Sequence, residues 1–150
     1  MLGPEPIFTI DAELEAILDL GRTPYGGRRF VGISGGIVSG RKLKGRILPG
    51  GADWQIIRSD GAADISARYI IEAESGARIS VESDGLRHGP PDVLERLIRG
   101  DNVDPSLYYF RTAMRFETAD RELDWLNRIL AIARGAREAL RVKLDVFEVS

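Results

Sequence analysis

The chain has 150 residues, 43% hydrophobic and 29% charged, with a formal net charge of -2, a length that suits one domain over residues 1–150. Cysteine is absent and His88 is the one histidine, which excludes disulfides, thiol catalysis, thiolate zinc sites and any two-histidine metal site. Lys and Arg are scattered singly, so the concentrated basic face of a sequence-independent nucleic-acid binder is missing too.

Residues 1–21 lack a long uncharged apolar run, as does every later stretch, so no signal peptide or membrane span is expected and the chain reads as soluble and cytoplasmic. Residues 7–10 form a first short strand candidate, and residues 13–20 carry a weak helical pattern that leaves helix and strand both open. Residues 30–33, 37–38 and 44–48 are further short strands, punctuated by Gly32, Gly36, Gly40 and Gly45 as bulges and barrel corners would be. Residues 54–58, 65–74 and 77–81 are three strands joined by the turns Ser59-Asp60-Gly61 and Glu74-Ser75-Gly76 and closed by Asp84-Gly85, which makes a meander. Residues 90–100 break the rhythm. Two prolines, an early acid, a late base and a final glycine bracket Val93, Leu94, Leu97 and Ile98, which share one helical face. Strands then resume at residues 108–117 and 126–133, with Gly135-Ala136 as the turn into a last one. There Leu140, Val142, Leu144 and Val146 alternate with Arg141, Lys143 and Asp145, so one side is dry and the other wet. The pattern predicts an all-β chain, a single closed or nearly closed antiparallel β-barrel with one short helix lying against it or plugging it.

Several segments taken together carry a resemblance. Pro49-Gly50-Gly51-Ala52-Asp53-Trp54, Ala67-Arg68-Tyr69, Gly85-Leu86-Arg87-His88-Gly89-Pro90-Pro91, Tyr109-Phe110-Arg111-Thr112, Phe116-Glu117-Thr118 and Trp125-Leu126-Asn127 resemble the domain-of-unknown-function 3237 family, in order and over nearly the whole chain. The resemblance implies a lipocalin-like or allene-oxide-cyclase-like barrel of bacterial and fungal origin. It also implies a link to the catabolism of aromatic compounds, including cofactor-independent decarboxylation of phenolic acids.

Asp53 beside Trp54, after a Pro-Gly-Gly turn, fits a barrel-mouth acid whose pKa burial raises, suited to general acid or base work. The plainer alternative is a turn-capping aspartate next to a core tryptophan. Arg68 lies in an apolar strand, where a guanidinium must meet a carboxylate of the protein or of a ligand. Tyr109, Arg111 and Glu117 share a parity. Glu117 lies about 20 Å from Arg111 along an extended strand, so one small ligand reaches both only across a bulge or bend. Trp125 and Asn127 share a parity as well, either as ring wall and hydrogen-bond donor or as packed tryptophan and satisfied amide. His88 and Tyr25 sit on loops that would rim the barrel, as site residues or as surface ones. The glycine-rich residues 32–42 match neither a dinucleotide fingerprint nor a phosphate loop, and no Gly-x-Ser-x-Gly elbow is present.

The expected function is that of a small-molecule enzyme working without organic cofactor or metal, a carbon–carbon lyase of the decarboxylase type acting on a phenolic acid. In that reading Arg68 or Arg111 holds the carboxylate and Asp53 or Glu117 moves the proton. Trp54, Tyr109 and Trp125 wall the ring, while Tyr109 and Asn127 steady the negative charge left behind. The alternative is a barrel that carries a small hydrophobic or aromatic metabolite without reacting it. No nucleic-acid or membrane partner is expected, and self-association into a dimer or higher homo-oligomer is.

Overall fold

Apolar and polar residues alternate along most of the chain, and a side-chain period of two commits a segment to a sheet with one face buried. The computed structural model describes residues 1–150 and contains ten strands: β1 (Phe8–Leu14), β2 (Leu18–Thr23), β3 (Gly26–Ser39), β4 (Gly45–Ile47), β5 (Gly51–Ile57), β6 (Ala63–Ala73), β7 (Arg78–His88), β8 (Tyr109–Thr118), β9 (Leu130–Arg137) and β10 (Arg141–Val149). One helix, α1 (Pro91–Ile98), and the 3₁₀ turns Pro105–Leu107 and Asp124–Arg128 complete the chain. No helix is long and apolar enough to cross a membrane.

The neighbour order runs β1, β10, β9, β8, β7, β6, β4, β3, and the antiparallel pairing of β1 with β3 closes the ring. β4 and β5 take the place between β3 and β6 in turn, so the wall is an eight-strand barrel. β2 pairs with β3 alone. β3 serves two neighbours along its length, with Gly26–Phe30 against β2 and Ile33–Ser39 against β1. At Gly36 (φ +150°) a Cβ would lie 2.4 Å from the Asp11 carbonyl oxygen, so only glycine lets the two strands approach there.

Several boundaries differ from the sequence reading. Residues 13–20 are not helical. They end β1 and begin β2, because the exposed Leu18 and Leu20 have no apolar surface to bury against as a helix would need. Leu126 lies in a 3₁₀ turn rather than a strand, and β9 runs through Gly135 and Ala136 to Arg137. The last strand shows the anticipated alternation at Leu144 and Val146, which are buried, whereas Leu140 is exposed in the turn before it.

The interior is divided along the barrel axis. One cluster of 23 buried residues, including Phe8, Ile10, Val31, Ile71, Ile79, Val81, Met114, Leu126 and Val146, fills the half nearer the Asp124–Arg128 turn. A second cluster of seven, Ala63, Ile65, Val93, Leu97, Val103, Tyr108 and Phe110, forms where α1 lies over the other end. Pro91 in the first turn of α1 and Gly100 (φ +82°) just after it limit the helix to two turns. Val93 and Leu97 are its buried anchors, each contributing roughly 1.5–3 kcal/mol.

Candidate active site

Strand register places the inward residues in rows. From the α1 end inward, one row joins Ala63, Arg87 and Phe110, and the next joins Arg29, Gln55, Ile65, Gly85 and Thr112. A third joins Val31, Asp53, Ala67, Ser83 and Met114, and a fourth joins Tyr69, Val81 and Phe116. The charged and polar rows thus lie between the helix-covered end and the apolar half.

Asp53 is the acid of this layer. Gln55 Nε2 donates to its Oδ2 at 2.8 Å, while Asp53 Oδ1, Gln55 Oε1, Tyr69 Oη and Thr112 Oγ1 are buried without a partner. Burial raises the Asp53 pKa above the ordinary carboxylate value, against the opposing pull of the Gln55 hydrogen bond and the charges of Arg87 and Arg137. Burial, helped by the Asp53 charge, also raises the pKa of the Tyr69 phenol. Buried polar atoms are nearly always satisfied in folded proteins, so four orphans in adjacent rows mark a place built to receive water or a ligand.

Above Asp53 lie three arginines. Arg87 and Arg137 are buried, Arg29 is half-buried, and none of the three is in an ion pair. Burial, with the positive charges of Arg137 and Arg29, pushes Arg87 down to about 10. Burial likewise lowers Arg137, against the attraction of Asp53 and Tyr108. Arg137 is tied to its own turn, its Nε donating to the Glu138 carbonyl at 2.9 Å and its Nη2 to the Ala139 carbonyl at 3.3 Å. Its backbone N–H donates to Tyr108 Oη at 2.9 Å. The three arginines line a cavity of about 50 Å³ whose other walls are Ile17, Ile57, Gly61, Ala63, Leu94, Leu97 and Ile98. That is space for on the order of four waters.

Among the residues anticipated from sequence, only Asp53 enters this layer. Arg68 points outward, because Ala67, Tyr69 and Ile71 hold the inward parity of β6, and it pairs with Glu82 on the outer wall. The expected convergence of Arg68 with Asp53 is therefore corrected. Trp54 also faces out, half exposed and edge-on to Phe30 with ring centroids 4.8 Å apart. Tyr109, Arg111 and His88 do come together, but outside the barrel: His88 stacks on Tyr109 at 5.0 Å and the Arg111 guanidinium lies 5.3 Å from the same ring. Glu117 is on the outer face, and Tyr25 is exposed on the β2–β3 turn. Trp125 packs against the apolar core with Lys42 over its ring at 5.1 Å. Asn127 brackets the backbone of Thr118, accepting from its N–H and donating to its carbonyl.

Gln55, Arg29, Arg87 and Arg137 escaped the sequence reading. Each stands at the inward parity of its strand, Arg87 after Val81, Ser83 and Gly85, and Arg137 after Ala131, Ala133 and Gly135. A charged residue ending an inward stripe was the available signal.

The family described as "Protein of unknown function (DUF3237)" matches residues 3–149. The UPF0311 protein blr7842 of Bradyrhizobium diazoefficiens is 43% identical over 148 residues, covering 99% of this chain and 97% of that protein. The crystal structure of RPA1785 from Rhodopseudomonas palustris, a conserved protein of unknown function, is 41% identical with a TM-score of 0.93, covering 100% of this chain and 98% of that one. A β-barrel-like protein from Acinetobacter baumannii is 39% identical with a TM-score of 0.86, covering 100% and 96%. With a match across nearly its full length and barrels of the same shape among its relatives, this chain belongs to the DUF3237 family.

Proposed function

We propose that this protein is a small-molecule enzyme that moves a proton on an anionic substrate held at the arginine-lined end of its barrel, with Asp53 as the proton-transfer group. A carbon–carbon lyase reaction, decarboxylation of a phenolic acid without added cofactor, is the specific form of this reading. The observation that supports it is a buried carboxylic acid, its pKa raised, beneath guanidiniums that form no ion pair with a protein carboxylate. An anion arriving on those guanidiniums adds a like charge near Asp53 and favours its protonated form further.

Charge placement decides which end of the substrate faces the arginines. A carboxylate held by guanidinium groups is stabilised before it leaves and resists departure, whereas a phenolate oxygen there keeps its stabilisation throughout. Asp53 then gives its proton to the carbon that bears the carboxylate, the electron pair for the new C–H bond coming through the ring from the phenolate oxygen. Breaking the carbon–carboxylate bond releases carbon dioxide and returns that pair to oxygen. Asp53 regains its proton from water. The apolar half, occupied by a cluster of 23 buried side chains, gives little support to the alternative of a hydrophobic carrier.

The test is incubation of the pure protein with a panel of phenolic acids, following carbon dioxide release. Asp53→Asn is expected to lower kcat on the order of 10²–10⁴-fold, the usual contribution of a positioned acid, while remaining folded by thermal melt. No release from any phenolic acid, or a folded variant with full activity, would remove this chemistry.

A further inference from the structure

The three arginines of the cavity are short of acceptors. Arg87 is 9% exposed and donates no hydrogen bond to any protein acceptor, its guanidinium lying 5.6 Å from the Phe110 ring centroid. Arg29, half-buried, donates none either. Arg137 gives its Nε and Nη2 to carbonyls of its own turn, which leaves the donors of Nη1 unused. A guanidinium carries five N–H donors in a planar fork, and leaving them unmade in a buried place is costly unless an anion accepts them. The charge is as one-sided as the hydrogen bonding. No residue lining the cavity is acidic. Burial, and then the charges of Arg137 and Arg29, hold Arg87 down to about 10. Asp53 lies deeper, outside the lining, and its charge reaches Arg87 and Arg137. Even with Asp53 ionised, three positive charges against one negative leave two at the cavity.

We infer that this cavity is a binding site for a compact, doubly charged tetrahedral oxyanion, inorganic phosphate, and that phosphate bound there keeps the anionic group of the substrate out. The space of about 50 Å³, on the order of four waters, suits the four oxygens of such an ion. Guanidinium and phosphate match through two parallel N–H donors, and Arg29, Arg87 and Arg137 bring such forks to one cavity from β3, β7 and β9. A singly charged anion leaves part of the positive charge uncompensated and fewer of the donors used. The exclusion of substrate rests on the reading of this cavity as the place of the substrate's anionic group. The phosphate site itself does not.

The test is calorimetric titration of the protein with inorganic phosphate, at fixed ionic strength and above the second pKa of the ion. One phosphate per chain is expected, with nitrate, a single charge, at least about tenfold weaker. Arg87→Met should weaken phosphate about 10–100-fold, the worth of charge-assisted hydrogen bonds. Arg29→Met should weaken it about tenfold, and serves alone where Arg87→Met fails to fold. Arg68→Met, on the outer wall, should leave binding unchanged. Methyl phosphate, with one oxygen capped, should bind more weakly than the free ion, and tighter binding would overturn the free ion as the occupant. No phosphate binding, nitrate as tight as phosphate, unweakened binding in the folded arginine variants, or an equal loss in Arg68→Met overturns the site. During turnover of a phenolic acid, phosphate should raise KM and leave kcat unchanged, and an unchanged KM overturns the exclusion. If phosphate binds through Arg87 and no phenolic acid reacts, the proposed reaction fails and the phosphate site stands. If a phenolic acid is decarboxylated and phosphate does not bind, the reverse holds.

Discussion

The two ends of the barrel solve opposite problems with the same strands. Toward the Asp124–Arg128 turn, inward positions are aliphatic or aromatic, so that end stores the stability. Toward α1, the same inward parity carries Asp53, Gln55, Thr112, Arg87 and Arg137, several without partners, so that end gives up stability for a charged, receptive interior. Because β6, β7 and β8 run through both ends, the filled half acts as the rigid base on which the charged half is held in register.

The contrast can be broken most strongly in the filled half. Leu126 is fully buried, and Leu126→Ala is expected to cost about 2–5 kcal/mol through lost transfer energy and a residual cavity. Urea denaturation measures this, and a cost under about 1 kcal/mol would mean that this end is not the stabilising one. By contrast Arg87→Met, also buried, should leave stability unchanged or raise it, because an apolar isostere removes an expensive buried charge.

A subtler test uses pH. The folded protein holds Asp53 with a raised pKa, so the folded state binds that proton more tightly than the unfolded chain does. Stability contributed by Asp53 is therefore lost as pH rises through its unfolded and then its folded pKa, and Asp53→Asn abolishes this dependence. Stability curves of the two proteins, followed upward from the ordinary carboxylate pKa, should diverge in the variant's favour as pH rises. Parallel curves would mean that Asp53 is not desolvated. The smallest effect is expected on the outer wall. Arg68 and Glu82 form an exposed pair, so Arg68→Ala should change stability by no more than about 0.5 kcal/mol and leave turnover intact. A large loss of activity would bring Arg68 back to the site.

Much of this is legible in the sequence alone. The meander over β5, β6 and β7 follows from three alternating runs and two glycine turns, and α1 follows from its prolines and terminal glycine. Asp53 was found because an acid after Pro49-Gly50-Gly51 is conspicuous. Arg68 was misplaced for a definable reason: an arginine among apolar neighbours attracts notice, yet parity with Ala67 and Tyr69 already put it outside. Tyr109, Arg111 and His88 do cluster, and only the facing of β8 decides that they cluster on the outer surface.

Local sequence fixed what each segment becomes, because backbone freedom, turn chemistry and a period of two act within a few residues. Which inward side chains meet depended on how β3 divides between β1 and β2, on β4 and β5 sharing one place, and on where β1 closes the ring. Those choices brought Arg87 and Arg137 over Asp53 from strands far apart in the chain. No short-range pattern encodes that meeting, since it follows from the register of the whole closed barrel.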